Sequence, residues 1–193
     1  MLNLTKYTNK FLLTLFMAFG VYVTGCSNDT VAPATDNIQF SYYQSVDTTA
    51  DNVGILTLDT VKILLKDIKL NVAISNDSSN SKVGPFVLYL NLANIAGVNL
   101  IGSNLIPVGT YDKIKFEVHK LGDTETPPDP EFLDSLGRYS TVVKGSYNGF
   151  RFVFKSDVSS KQKLDFPNAL VVTETSTNIT IKVQPYLWFI NEA

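Results

Sequence analysis

The side chains that carry most enzyme chemistry are nearly absent from this 193-residue sequence, which has one His and one Cys. A Ser-His-Asp triad would have to use His119, yet no G-x-S-x-G elbow occurs and His119 falls on the outward phase of its predicted strand. The sequence also lacks a P-loop and the several histidines of a histidine-rich zinc site. We therefore expect a surface histidine, no catalytic residue and no cofactor, with a hydrolase as the alternative.

The densest group of acids lies in residues 122–131 (GDTETPPDPE), where four carboxylates stand among three prolines. Ca²⁺ takes about six to eight oxygen ligands, and such a loop can supply several of them. No D-x-D-x-D-G pattern is present, and the prolines favour a rigid, solvated loop. We predict an exposed loop without a metal; the alternative is a calcium site formed by Asp123, Glu125, Asp129 and Glu131.

The N-terminus has the pattern of a secretory signal peptide. Residues 1–10 carry Lys6 and Lys10 without an acid, and residues 11–23 form an apolar run of 13 residues. A permanent transmembrane helix needs roughly 18 to 20 apolar residues, so a run of this length favours a cleaved signal peptide. We predict that residues 1–25 are removed; the alternative is a retained N-terminal helix.

The one cysteine, Cys26, lies directly behind the apolar run, in the sequence Val23-Thr24-Gly25-Cys26. This sequence resembles the lipobox of bacterial lipoproteins, which implies cleavage before Cys26 and acylation of its thiol and new amino group by fatty acids such as palmitate. Several acyl chains anchor a protein stably where a single chain is marginal. Ser27, the residue after the cysteine, resembles the sorting signal of lipoproteins that are routed to the outer membrane. The alternative is ordinary secretory cleavage beside an incidental cysteine.

The charge balance argues against a nucleic-acid partner. The chain has 16 basic and 18 acidic residues and no basic block, whereas nucleic-acid binders cluster Lys and Arg against phosphates. Removal of Lys6 and Lys10 with the signal peptide would leave 14 basic against 18 acidic residues. Acylation of Cys26 would leave no thiol for redox chemistry or zinc binding.

For the mature chain, the sequence predicts a short tether followed by one β-domain. Residues 26–37 hold the lipidated cysteine and a small, polar segment that predicts a flexible tether, and residues 38–193 form the domain. Apolar residues alternate from Ile38 and again through residues 61–74, with a change of phase at Lys66-Asp67. Such a change predicts a β-bulge or bend. A helix over residues 59–70 is the alternative.

The remaining segments predict further strands. We expect a loop at residues 76–81, a strand buried on both faces at residues 86–92, and a short helix or loop at residues 93–104. Residues 114–118 alternate as a half-buried edge or surface strand would. The dipeptide Asn148-Gly149 predicts a type I′ β-hairpin turn. About seven to eight short strands in one domain indicate an all-β sandwich.

The stretch IPVGTYDKIKFEVHK, residues 106–120, resembles a bacterial lipoprotein family named domain of unknown function forty-three eighty-two. The matching residues are Pro107, Gly109, Thr110, Tyr111 and Ile114. The resemblance implies a prealbumin- or transthyretin-like β-sandwich and carries no established activity. Physically, Pro107 fixes φ at a turn, Gly109 permits a positive φ before the strand, and Tyr111 can hydrogen-bond back across the corner.

These features predict a lipid-anchored protein of the bacterial cell envelope, in the outer membrane and exposed to the periplasm or cell surface. Its function is a non-enzymatic binding module for a glycan or a protein, because exposed aromatic side chains stack on ligands without catalysis. The alternative is a structural accessory that pairs strands with another envelope protein. The candidate aromatic residues are Tyr42, Tyr43, Tyr139, Tyr147, Tyr186 and Trp188.

Overall fold

The computed structural model describes residues 19–24, 36–44, 56–73, 78–82, 85–92 and 97–189. Within these ranges the chain is nearly all strand, apart from two short 3-10 turns at Pro130–Phe132 and Pro185–Phe189. The strands are β1 (Phe19–Thr24), β2 (Ile38–Gln44), β3 (Leu56–Val72), β4 (Ser78–Lys82), β5 (Phe86–Asn91), β6 (Asn99–Asn104), β7 (Gly109–Val118), β8 (Leu133–Asp134), β9 (Gly137–Arg138), β10 (Thr141–Tyr147), β11 (Phe150–Ser156), β12 (Ser160–Val172) and β13 (Thr177–Val183).

The strands form two facing sheets and one small ribbon. The first sheet has the order β1-β13-β2-β6, and the second has the order β11-β10-β3-β7-β12, with β4 and β5 also paired to β3. The ribbon pairs β8 with β9. Only β13 and β2 pair in parallel among the described strands. The predicted all-β sandwich is confirmed. The expected number of strands is too low, because β1, β4, β6 and the ribbon strands β8 and β9 lie in segments that were not predicted as strands.

The main core lies between the two sheets, because a strand turns every second side chain to the same face and the apolar residues alternate. Phe40 and Ile181 of the first sheet are buried with Ile63 of the second. Tyr42 links the layers, since its hydroxyl donates a 2.6 Å hydrogen bond to the carbonyl of Tyr89 in β5. Burial raises the pKa of the Tyr42 hydroxyl above its ordinary value.

β3 is one strand of 17 residues with an irregularity near its middle. Asp67 has a φ of 56°, in the left-handed region, and the pairing of β3 with β7 shifts register between Lys66 and Lys69. The bulge predicted at this point is confirmed, and it keeps the apolar residues on both sides of it facing the core. The alternative helix over residues 59–70 is wrong, because the apolar residues follow a period of two.

A second, smaller core lies on the outer face of the second sheet. Residues 119–140, here called the covering segment, bury Leu121 and Phe132 against Leu64 of β3 and Val142 of β10. The backbone of Leu64 also bonds to His119 and Ser140 at the two ends of this segment. The acidic stretch predicted as an exposed loop therefore belongs to a segment that packs on the sheet.

Other segments differ from the sequence predictions. Residues 78–82 form β4, because backbone pairing with β3 does not need apolar side chains. Residues 99–104 form β6, which pairs with β2 where a helix or loop was expected. β5 is not buried on both faces along its length, since Tyr89 is 43% exposed between the buried Leu88 and Leu90. β7 is half-buried as predicted, but it lies between β3 and β12 and is not an edge strand.

The predicted hairpin is confirmed. Asn148 and Gly149 have φ angles of 52° and 80°, the positive pair that a type I′ turn requires. Tyr147 of β10 stands opposite Phe150 of β11. This turn ends the second sheet at the corner where β3 begins.

Candidate functional site

The predicted anchor lies largely outside the described residues. Residues 1–18 and 25–35, which include Gly25 and Cys26, belong to the undescribed part, so cleavage and acylation stay predictions. Val23 and Thr24 are the last residues of β1, which pairs antiparallel with β13. No helix in the described residues has both the length and the apolar character needed to cross a bilayer.

The end of the predicted tether is fastened to the domain by one side chain. Asn37 is 3% exposed, and its amide nitrogen donates to the carbonyls of Ile106 at 2.9 Å and Thr173 at 3.0 Å. The backbone amide of Ile106 in turn donates to the side-chain oxygen Oδ1 of Asn37 at 2.9 Å. Asn37, the last residue of the predicted tether 26–37, is therefore bound to the domain.

The predicted turn lies beside this attachment. The Tyr111 hydroxyl donates to the carbonyl of Pro107 at 2.8 Å, which is the bond across the corner that the sequence suggested. Tyr111 is fully buried, so it acts in the structure of the turn and does not face solvent. Gly109 differs from expectation: it does not have a positive φ, and an added Cβ would meet only the Tyr111 ring, at 3.9 Å.

A shallow apolar depression of about 500 Å³ opens at this end of the sandwich. Leu105 and Val108 are both more than half exposed on its rim. Its lining residues are Asn37, Leu105, Ile106, Pro107, Val108 and Glu174. We call this region the proximal end, because it lies where the predicted tether would enter the domain.

Two exposed aromatic rings mark the opposite end. Tyr147 is 52% exposed and Phe150 is 79% exposed, and the two are register partners across β10 and β11. Residues directly opposite each other in an antiparallel pair point to the same face. Leu56 of β3 is the next register partner of Tyr147, so the three side chains form one row. We call this row, Leu56, Tyr147 and Phe150, the distal row.

The distal row is held by the packing of the residues behind it. Phe152 and Phe154 of β11 pack their rings against Phe189, with centroids 6.2 and 5.9 Å apart. Gly145 stands opposite Phe152 and beside a register shift, and a Cβ there would lie 2.2 Å from the carbonyl oxygen of Thr57. A glycine is therefore required for β10 to approach β3 this closely.

β3 connects the two ends. It begins at Leu56, opposite Tyr147, and ends at Val72, opposite Tyr111 of the proximal turn. At about 3.3 Å per residue, its sixteen steps separate the ends by roughly 50 Å before the bend is counted. The exposed aromatic rings thus lie far from the point where the predicted lipid tether joins the domain.

Comparison with known proteins gives no relative. No family model matches the chain, no curated protein matches it, and no solved structure matches it. The resemblance to the lipoprotein family and the prealbumin-like topology therefore stay predictions.

The structure places His119 between two carboxylates and not on the open surface. Its Nε2 lies 2.6 Å from Glu125 Oε2, and its Nδ1 lies 3.3 Å from Glu117 Oε1. Glu125 also accepts a 2.7 Å hydrogen bond from the amide of Gly122, and Lys66 approaches its other oxygen. These donors, the Gly122 amide first, lower the pKa of Glu125 to about 2. The arrangement fastens the start of the covering segment.

Each of the four acids considered for calcium is paired with a cation, and Lys62 approaches both Asp129 and Glu131. Within the described residues, no three His, Cys, Asp or Glu side chains converge as metal ligands do. The ion pairs are Lys62–Asp129 at 2.5 Å, Lys144–Glu131 at 2.7 Å, Lys66–Glu125 at 3.2 Å and Arg138–Asp123 at 3.7 Å. The structure therefore does not bring the four carboxylates together as a calcium site; it uses three of them to bind the covering segment to lysines of the sheet.

Of the aromatic residues considered for ligand binding, only Tyr147 is well exposed. Tyr42 and Trp188 are buried, and the Tyr186 hydroxyl accepts a hydrogen bond from the amide of Leu58. Phe150 was not among the candidates, although its position directly after the Asn-Gly turn is a sequence signal for the tip of a hairpin.

Proposed function

We propose that this protein is an acylated lipoprotein of the bacterial envelope and that its distal row binds a glycan without catalysis. One observation carries the binding proposal: two large rings, Tyr147 and Phe150, are exposed side by side on a fixed hairpin. Exposed aromatic side chains in a group of this kind mark sites of interaction. The hairpin turn and the packed rings behind it hold the pair in place before a ligand arrives.

A glycan fits the dimensions of the distal row better than a protein does. A stable protein interface buries about 800 Å² on each partner, around a well-packed apolar centre. The distal row offers two solvent-exposed rings beside a polar turn, an area suited to one or two sugar rings. The apolar faces of the sugars would stack on the rings, and the Tyr147 hydroxyl and the Asn148 amide would bond to their hydroxyl groups.

The proposed anchor and the distal row would lie at opposite ends of the domain. From Cys26 to Asn37 the chain has eleven residue steps, which reach at most about 36 to 40 Å. This tether would keep the proximal end close to the bilayer. The distal row, at the other end of β3, would then face away from the membrane and towards envelope polysaccharide.

The experiment is affinity electrophoresis of the protein through gels containing purified envelope polysaccharide or solubilised peptidoglycan. We expect Tyr147→Ala and Phe150→Ala each to weaken retention by about tenfold or more, because each removes one stacking face. Tyr89→Ala is the matched control, since it removes an exposed ring from the outer face of the sheet. Equal retention of all three variants and the native protein, with unchanged thermal unfolding, would refute glycan binding at the distal row.

A further inference from the structure

Three lysines form a row across the outer face of the second sheet. Lys115 of β7 is the register partner of Lys69 in β3 on one side and of Lys163 in β12 on the other. Residues directly opposite each other in an antiparallel pair point to the same face. The adjacent residues Leu70 and Ile114 are buried in the main core, so the lysines stand on the outer face. We call Lys69, Lys115 and Lys163 the lysine row.

The lysine row is unfavourable for the isolated protein, because like charges directly opposite each other on a sheet are destabilising. Lys69 and Lys115 are partly exposed, and neither forms an ion pair with a residue that the structure describes. Lys163 lies 3.4 Å from Asp165, but both side chains are more than half exposed and such a pair contributes little. The described part of the chain therefore leaves most of this charge without a counterion.

Protection of a sheet edge explains only one of the three lysines. A lysine on an edge strand discourages pairing with another chain, and β12, which carries Lys163, is the last strand of the second sheet. Lys69 lies where β3 is paired with β4 on one side and β7 on the other. Lys115 lies in β7, between β3 and β12. These two interior lysines need another reason.

The same face of the sheet shows which anion its lysines bind. Nearer the start of β3, Lys62 pairs with Asp129 and Lys66 pairs with Glu125. Both acids belong to the covering segment, which packs on that half of the sheet. The lysine row continues this basic face beyond the covering segment, where the structure describes no acidic segment above it. A ligand that carries carboxylates would complement it as the covering segment complements its neighbours.

We propose that the lysine row is a second binding site, which takes an acidic polysaccharide through its carboxylate groups. Adjacent strands lie about 4.8 Å apart, so one extended polymer laid across β3, β7 and β12 meets three ammonium groups within roughly 10 Å. The site is separate from the distal row, because Lys69 lies thirteen steps, or roughly 40 Å, along β3 from Leu56. The charge of the ligand distinguishes this site from stacking on the distal row.

An anionic membrane fits the lysine row less well, because acids lie between the row and the proximal end. Asp165 stands opposite Lys113, one row nearer to the proximal turn. Asp112 precedes Lys113, and Glu174 lines the proximal depression. A bilayer reached through the tether would meet these carboxylates before the lysines, and anionic headgroups would repel them.

A nucleic acid and a second copy of the chain also fit less well. The lysine row contains neither an arginine nor an aromatic ring, the side chains that stack on bases. The densest acidic surface that a second copy offers is its own covering segment. The carboxylates of that segment are already paired with Lys62, Lys66, Lys144 and Arg138.

The test is isothermal titration calorimetry of the purified protein, in a neutral detergent, with polygalacturonic acid and with its methyl ester. The two polymers share a backbone, but only the acid carries free carboxylates. The ratio of the two affinities therefore measures charge recognition and does not report stacking at the distal row. The row variant carries Lys69→Gln, Lys115→Gln and Lys163→Gln. The control variant loses three positive charges outside the row, through Lys120→Gln, Arg151→Gln and Lys182→Gln.

We expect the native protein to bind the acid at least about tenfold more tightly than the ester, and to bind it more weakly as salt rises from about 50 to about 200 mM. The row variant should lose about tenfold in affinity for the acid, and the control variant less than about threefold. The row variant should also unfold at an equal or higher temperature than the native protein, because the repulsion between its lysines is removed. Tyr147→Ala should leave the ratio of acid to ester affinity unchanged.

The proposal is overturned if polygalacturonic acid does not bind, if acid and ester bind equally, or if the row and control variants lose equal affinity. A lower melting temperature of the row variant would contradict the unfavourable charge of the row. Tighter binding of an oligothymidylate or of phosphatidylglycerol vesicles than of the acid would assign the row to a nucleic acid or a membrane. A dimer that is lost only in the row variant would assign it to a second copy, and each of these assignments contradicts the proposal.

Discussion

The proximal and distal ends of the sandwich are fastened by different means. At the proximal end, side-chain hydrogen bonds from Asn37 and Tyr111 tie three loops to one another. At the distal end, a two-residue turn and aromatic packing on Phe189 hold the hairpin, and its last two rings remain in solvent. Bonds made by buried polar groups are costly to break, whereas exposed rings contribute little to folding.

This difference separates stability from binding. At the proximal end, the polar groups of Asn37 and Tyr111 are paired and buried. The distal row leaves apolar surface uncovered, which is unfavourable for the isolated protein and useful only when a ligand covers it. Substitutions at the two ends should therefore affect different properties.

The largest expected effect comes from a glycine at the distal end. Gly145→Ala places a Cβ 2.2 Å from the Thr57 carbonyl oxygen, so β10 must move away from β3. We expect a loss of about 3 kcal/mol or more in the free energy of unfolding, measured by denaturant titration.

Gly109→Ala is the matched substitution at the proximal end. Its new Cβ meets only the Tyr111 ring at 3.9 Å, and its φ is not positive. The free energy of unfolding should change by less than about 0.5 kcal/mol. Similar losses for the two variants would contradict the account of how Gly145 supports the distal row.

The next largest effect on stability comes from the buried side chain of Asn37. Asn37→Ala leaves the amide of Ile106 and the carbonyls of Ile106 and Thr173 without their buried partner. We expect the free energy of unfolding to fall by about 2 to 4 kcal/mol. Glu174→Ala, at an exposed residue of the same depression, is the control and should have little effect. An Asn37→Ala protein as stable as the control would show that this side chain does not hold the proximal end.

The smallest expected effect is a pH dependence of stability that comes from Glu125 in the covering segment. This segment belongs to neither the proximal nor the distal end. Glu125 has a pKa of about 2 in the folded protein against 4.5 ordinarily, so its stabilisation is complete above pH 4.5 and is lost as pH falls towards 2. Glu125→Gln should flatten the fall of the melting temperature across this window by about 2 to 4 °C, since partial exposure weakens the ion pair. Parallel pH profiles of the melting temperature for the native protein and the Glu125→Gln variant, from about pH 5 to pH 2, would refute this role.

Local patterns predicted much of the fold. The Asn148-Gly149 turn and the bulge at Lys66-Asp67 are visible in the sequence, because turn type and apolar phase are local properties. β4 and β6 are not visible there, since their polar residues become strands only by pairing with distant β3 and β2. The pairing of Glu125 and Asp129 with lysines depends in the same way on a long-range contact of the covering segment.

The candidate site was predictable only in part. The sequence shows Tyr147 as one of several candidate aromatic residues, but the exposure of its side chain depends on how far the first sheet extends over the second. Trp188 has the same kind of side chain and is buried by the packing of the C-terminal turn. The sequence predicts Asn37 as part of a polar tether. Its hydrogen bonds to residues 106 and 173 depend on contacts between segments that are distant in the sequence.

The most direct test of the opposed ends is energy transfer from the acylated protein to acceptor-labelled lipids in phosphatidylethanolamine and phosphatidylglycerol vesicles. Donor dyes are attached at Val108→Cys on the proximal rim and, separately, at Thr57→Cys beside the distal row; acylated Cys26 does not react with the dye. Cys26→Ala should abolish transfer from both positions. The account predicts clearly greater transfer from position 108 than from position 57, and equal or reversed transfer would contradict it.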